Sequence, residues 1–183
     1  FQKAFKDQGL EIFMMGAYFN PVHSNKELVK TNVLKFKEHL TYLNDFDGHF
    51  VGSETGSFND DKWTYNPLNR TKEAYQEVKR IFGDLANHAK EVNANIALEG
   101  AFGHCMHNPV FLKRLVDEID NGHVFYTVDI YNFLDISKAC EFNSFLSTLT
   151  PFTSIFDKTC VKGSSILSYN SFILDSFNFS LIK

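Results

Sequence analysis

Two acidic residues carry the spacing in this chain that most resembles chemistry. Glu99 closes the apolar run Asn95-Ile96-Ala97-Leu98-Glu99, and Asp129 closes Val124-Phe125-Tyr126-Thr127-Val128-Asp129. Residues 108–119, between them, have the pattern of one helix. A strand, a crossover helix and a second parallel strand would place both carboxylates at the same sheet end, within reach of a shared cation. Enzymes built from βα units put their chemistry there. Hard oxygen ligands suit a divalent ion such as Mn²⁺ or Mg²⁺, with Zn²⁺ or Co²⁺ as alternatives. Capping of the helices that follow is the competing use of both acids.

Further polar residues follow each apolar run. Tyr18, Asn20 and His23 occupy the first loop, where Asn20-Pro21 also reads as a simple turn. Glu54 lies in Gly52-Ser53-Glu54-Thr55-Gly56 and could hydrogen-bond sugar hydroxyls or only form a surface turn. His104 and His107 follow Glu99, with Cys105 between them as a bystander. Asn132 follows Asp129. Trp63 and Tyr65 could stack on a sugar or pack their own loop, and Asp60 and Asp61 read as solvated.

These side chains need elements to hold them. Residues 1–9 read as the end of a helix stopped at Gly9, and residues 10–16 as a buried strand. Ser24 and Glu27 match a capping box. The helix it opens would bury Leu28, Val29, Val33, Leu34, Phe36, Leu40 and Leu43. A short strand at 49–53 leads to a helix capped by Thr71, with a stripe of Ala74, Val78, Ile81, Phe82, Leu85, Ala86 and Ala89. The next helix has Asn108 as cap, Pro109 in its first turn and Gly122 beyond its end. Such alternation implies an α/β fold with a parallel sheet and right-handed crossovers. An open doubly wound sheet and a (β/α)8 barrel both satisfy it. No Gly-rich dinucleotide turn follows any strand, and polar residues recur after each one, which favours a barrel with a shared mouth.

The chain has 183 residues, enough for one domain with a sizeable core. A net charge of -4 gives no broad electrostatic case for nucleic acid. Cys105, Cys140 and Cys160 are odd in number, lack metal-ligand spacing and suit a reducing, cytoplasmic setting. No apolar stretch is long enough to span a bilayer, and no signal-peptide pattern opens the chain. Phe1 falls inside a helix pattern, so sequence upstream is expected. Beyond Ser137 the chain turns rich in Ser, Phe, Thr, Leu and Asn and loses the βα rhythm. A domain over 1–137 and an atypical tail over 138–183 are expected, the tail being either divergent or the product of a frameshift.

Four segments in order resemble the xylose isomerase-like TIM-barrel superfamily, in its sugar phosphate isomerase/epimerase group. They are Gly16-Ala17-Tyr18-Phe19-Asn20-Pro21-Val22-His23, Val51-Gly52-Ser53-Glu54-Thr55-Gly56, Ile96-Ala97-Leu98-Glu99-Gly100 and Thr127-Val128-Asp129-Ile130-Tyr131-Asn132-Phe133-Leu134. The resemblance covers residues 10–135 and implies a partial barrel, about strands two to five. It implies a divalent metal held by a Glu, an Asp, a His and a second Glu. Glu99 matches the first and Asp129 the second; the other two have no match in the tail. It further implies Glu99 as an acid/base on a ketose or sugar phosphate, through an enediolate. Tyr18, Asn20, Glu54, His104, His107 and Asn132 would then border the substrate. Type IV apurinic endonucleases share the barrel, but Asn132 stands where they would have a metal-binding His. A non-catalytic barrel fragment is the other alternative. Unpaired sheet edges in a four-stranded remnant would favour self-association into a homo-oligomer.

Overall fold

The computed structural model describes residues 2–133, so the expected atypical tail at 138–183 lies outside the described residues. Strands β1 (Met14–Gly16), β2 (Phe50–Glu54), β3 (Ile96–Glu99) and β4 (Val124–Thr127) form one sheet, in chain order and all parallel. Helices α2 (Lys26–Leu43), α3 (Lys72–Glu91) and α4 (Pro109–Ile119) connect them, and a short α1 (Gln2–Asp7) precedes β1. Consecutive strand order is what a barrel requires; a doubly wound sheet would reverse direction at a switch point.

Local chemistry explains two helix starts directly. Thr71 Oγ1 accepts from the Ala74 N–H at 3.2 Å, and Asn108 Oδ1 accepts from the Phe111 N–H at 3.0 Å. The start of α2 differs from expectation by one residue. Asn25 is the cap, its Oδ1 accepting from the Glu27 and Leu28 N–H groups, both at 3.1 Å. Ser24 is engaged elsewhere: its N–H and hydroxyl donate to the Asp60 carboxylate at 2.8 and 2.7 Å. Asp60 is therefore a loop-to-loop tie rather than a solvated acid.

The expected stripe of α3 is buried throughout, with Tyr75 added. In α2 the buried positions are Val29, Phe36, Leu40 and Leu43. Leu34, expected in the core, is 64% exposed. It lies two residues, about 200° of helical rotation, from Phe36. Leu28 is exposed as well. Phe19, Phe36 and Phe82 meet between the first loop, α2 and α3, with ring centroids 5.8 to 6.4 Å apart.

The first strand is also shorter and less buried than its apolar run suggests. Leu10 and Phe13 are exposed, and the ladder starts only where Met14 pairs with Phe50. Among the described residues β1 has one strand neighbour, so one edge of its backbone lacks a strand partner.

Alternation along the strands gives the sheet two unlike faces. Val51, Ser53, Ile96 and Leu98 are buried on the helix side. Phe50, Gly52, Glu54, Ala97, Glu99, Phe125 and Thr127 share the opposite, inner side. There Phe50 and Phe125 meet edge to face at 5.4 Å. No helix among the described residues is long and apolar enough to cross a membrane.

Candidate active site at the strand ends

Strand register assembles the site. Glu54 is the direct partner of Glu99, and Glu99 is the direct partner of Thr127. Gly16 pairs with Gly52, and the Ala17 N–H donates to the Gly52 carbonyl at 2.9 Å, which carries the ladder past β1. Tyr18 thereby comes level with Glu54. Tyr18, Glu54, Glu99 and Thr127 form one row at the carboxyl ends of four strands.

The row carries a concentrated negative potential. Burial, and then the charge of Glu99, push the Glu54 carboxyl above its ordinary range. Burial also raises Glu99; a hydrogen bond from Asn132 opposes this, and the charge of Asp129 adds to it. The Tyr18 hydroxyl is raised by burial and then by Glu99 and Glu54. Such mutual influence requires these groups to lie close together. Asn132 Nδ2 donates to Glu99 Oε1, which fixes one oxygen of that carboxylate. Asp129 stands two residues beyond the end of β4, and its Oδ1 accepts from the Tyr131 N–H at 2.9 Å. It both caps a turn and lends charge to Glu99.

The two loop histidines part company. His104 is only 5% exposed, and its Nε2 lies 3.7 Å from Glu54 Oε2. Burial pulls its pKa down to about 4, so the ring is neutral near pH 7. The Trp63 backbone opposes that shift, yet its geometry falls short of a hydrogen bond: Nδ1 has no such partner among the described residues. The Trp63 ring meets the imidazole edge to face at 5.8 Å. His107 instead packs on Phe111 at 4.6 Å, with Nδ1 3.4 Å from the Cys105 carbonyl, at the start of α4. Cys105 is buried between them, its thiol pushed up to about 12 by burial.

Asn20 has its amide fully engaged inside the protein. Nδ2 donates to the Ser57 and Asp60 carbonyls at 2.7 and 2.8 Å, and Oδ1 accepts from the Val22 and Ser57 N–H groups, both at 3.2 Å. It ties the loop after β1 to the loop after β2. Gly56, at φ +68°, makes room for it: a Cβ there would strike Asn20 Oδ1 and Pro21 Cδ.

Arg70 is a contributor that the sequence did not announce. Its Nη1 donates to the His104 carbonyl at 2.6 Å and its Nη2 to the Phe102 carbonyl. Its guanidinium lies over the rings of Tyr65 and Phe102, at 5.2 and 5.5 Å. Asn69 adds a bond to the Gly103 carbonyl at 2.7 Å. These bonds fasten the loop after β3 to the loop after β2. Thr127 was also missed as a site neighbour, because only the register reveals it.

Among the described residues, no cluster of three or more His, Cys, Asp or Glu side chains is arranged to hold a metal. Glu99 and Asp129 nonetheless fit a divalent ion in kind. They are hard oxygen donors, and the like charge that raises Glu99 is what a cation would relieve. A cavity of about 410 Å³ bounded by Phe5, Leu10, Phe46 and His49 lies at the other end of the strands and touches none of this chemistry.

The profile of the xylose isomerase-like TIM barrel family matches residues 1–154. Solved structures share the fold at low identity. D-psicose 3-epimerase, determined in the presence of D-fructose, is 16% identical with a TM-score of 0.62, covering 82% of this chain and 53% of its own. The 3-keto-D-glucoside 4-epimerase YcjR from E. coli is 17% identical with a TM-score of 0.61, covering 80% and 58%. A xylose isomerase-like TIM barrel protein from Mycobacterium smegmatis, in complex with magnesium, is 14% identical with a TM-score of 0.57, covering 72% and 45%. The chain thus spans about half the length of these structures. No curated protein matches it significantly. With four consecutive parallel strands and a profile match over most of its length, the chain belongs to the xylose isomerase-like TIM barrel family.

Proposed function

We propose that this chain is the strand-two-to-five portion of a sugar isomerase or epimerase that moves a proton beside the carbonyl of a ketose or sugar phosphate. The observation that carries the reading is the register pair Glu54–Glu99 at the barrel mouth, with both carboxyls raised toward the range of a working general base. Support also comes from the family and from the sugar epimerases that share its fold.

Glu99 takes the proton from the carbon next to the carbonyl, leaving an enediolate, and in an isomerisation returns it to the neighbouring carbon; inversion at the same carbon needs a second acid on the opposite face, which the family resemblance assigns to a later strand. Asn132 holds Oε1 of Glu99 and so aims the other oxygen. Tyr18, level with Glu54, keeps its hydroxyl proton because burial, and then the two carboxylates, disfavour its loss, and it donates to a substrate oxygen. Glu54 and His104 border the same space. Asn20 shapes the wall from behind through its four internal bonds. A divalent ion, when bound by Glu99 and Asp129, supplies Lewis-acid polarisation of neighbouring ketose oxygens. A cytoplasmic setting agrees with the free, buried thiol of Cys105. Against the nuclease reading, an acidic row repels the phosphates of DNA.

The test is solvent exchange. Ketohexoses and their phosphates are incubated with the protein in D₂O, with Mn²⁺, Mg²⁺, Zn²⁺ or Co²⁺, and deuterium uptake beside the carbonyl is followed by NMR. Uptake should occur and should fall roughly a thousandfold in Glu99→Gln. No uptake under any condition, the outcome for a non-catalytic fragment, or uptake indifferent to Glu99→Gln, overturns the reading.

A further inference from the structure

We propose that Glu54 Oε2 and His104 Nε2 together grip one hydroxyl of the substrate, which makes His104 a specificity-determining residue. The inference rests on the sugar reading above and narrows it to one contact.

The geometry is that of a gap with complementary walls. At 3.7 Å the two atoms are too far apart for a direct hydrogen bond. A single oxygen ~2.8 Å from each would bridge them. Glu54 Oε2 faces Nε2, while Nδ1 makes no hydrogen bond among the described residues, so the proton belongs on Nε2, toward the carboxylate. Nε2–H then donates while Glu54 accepts. A group that satisfies both at once must accept and donate through the same oxygen. A hydroxyl does so; a carbonyl oxygen or an ionised phosphate oxygen has no proton to offer Glu54.

The imidazole is also held rigidly enough to choose among hydroxyls. The backbone around it is fixed at successive positions. The His104 N–H donates to Ala101 at 2.8 Å, the Cys105 N–H to Gly56 at 2.9 Å, and Arg70 and Asn69 hold the carbonyls of His104 and Gly103. The Trp63 ring closes one side. A donor fixed in this way discriminates by position, because a substrate lacking that hydroxyl leaves the facing donor and acceptor unpaired.

Calorimetry on the full chain with D-fructose, D-psicose, D-tagatose and L-sorbose identifies the best-bound ketohexose. Its monodeoxy analogues are then measured against wild type, His104→Leu and His104→Gln. The parent sugar should bind His104→Leu roughly tenfold to hundredfold more weakly. His104→Gln, which offers an N–H at the Nε2 position, should recover most of the loss. One monodeoxy analogue should bind wild type as weakly as the parent binds His104→Leu, and should be indifferent to that substitution. In wild type, the His104 ring resonances should show the Nε2–H tautomer and shift on sugar binding. If every monodeoxy analogue remains equally sensitive to His104→Leu, or the ring resonances stay still when sugar binds, the proposal falls and the sugar reading survives. If wild type binds none of the four ketohexoses and none of their phosphates, the sugar reading falls and takes this inference with it.

Discussion

The two faces of the sheet, built from the same four strands, are used in opposite ways. On the helix side, Val51, Ile96 and Leu98 are 0% exposed beneath the helical layer. On the inner side, the positions between them carry small or aromatic residues and then end in Tyr18, Glu54, Glu99 and Thr127. One face gains stability by removing apolar area from water. The other collects like charges and half-buried hydroxyls, which cost stability, at the only end where strand and loop can aim them. Chain neighbours such as Leu98 and Glu99 therefore answer to different demands.

The largest expected contrast comes from that pair. Leu98→Ala should lose about 3 kcal/mol in urea denaturation, since a fully buried leucine leaves a cavity. Glu99→Gln should keep full stability or gain slightly, because it removes a charge from a crowded row. Equal losses at both positions would break the distinction between the faces. Next in size is Gly56→Ala. A left-handed φ of +68° and the contact with Asn20 and Pro21 should cost about 2 kcal/mol, read as a lower midpoint.

A smaller effect sharpens the inner side. The Glu54 carboxyl is raised above its ordinary value of 4.5, so the folded state binds that proton more tightly than the unfolded state. Its favourable contribution is complete below pH 4.5 and disappears as pH rises through the higher folded value. Thermal melts should show Glu54→Gln more stable than wild type at neutral pH, relative to the difference between them at pH 4. The smallest effect belongs to the helix layer. Lys79 and Arg114 hold Glu118 at 2.9 and 2.6 Å and bring its carboxyl down to about 2. That contribution is present above the ordinary 4.5 and is lost as pH falls toward 2. On a solvated surface, Glu118→Gln should cost under about 1 kcal/mol, and only above pH 4.5.

Much of the scaffold could be read from residues alone. Thr71 and Asn108 are short polar side chains standing before clear helical stripes, and they cap as such residues do. The cap of α2 was misplaced because the claim on Ser24 comes from Asp60, 36 residues away. The brevity of β1 was hidden because an apolar run does not say whether it has one neighbour or two. The site divides in the same way. Glu99 and Asp129 were legible as strand-end acids. The partnership of Glu54 with Glu99 was not, because register is a relation between strands and no single strand records it. Arg70 was silent for the same reason: its partners are backbone carbonyls more than thirty residues away.

The strict alternation of the strands ties function to parity. Inserting one residue between Asn95 and Leu98 would turn Glu99 toward the helices and send Leu98 to the mouth, and deleting one would turn Glu99 the same way and bring Gly100 to the mouth. A buried, unpaired carboxylate would then arise in the same event that removes the proposed base. A length change within this strand is thus penalised twice over, in the packing of the helix side and at the mouth.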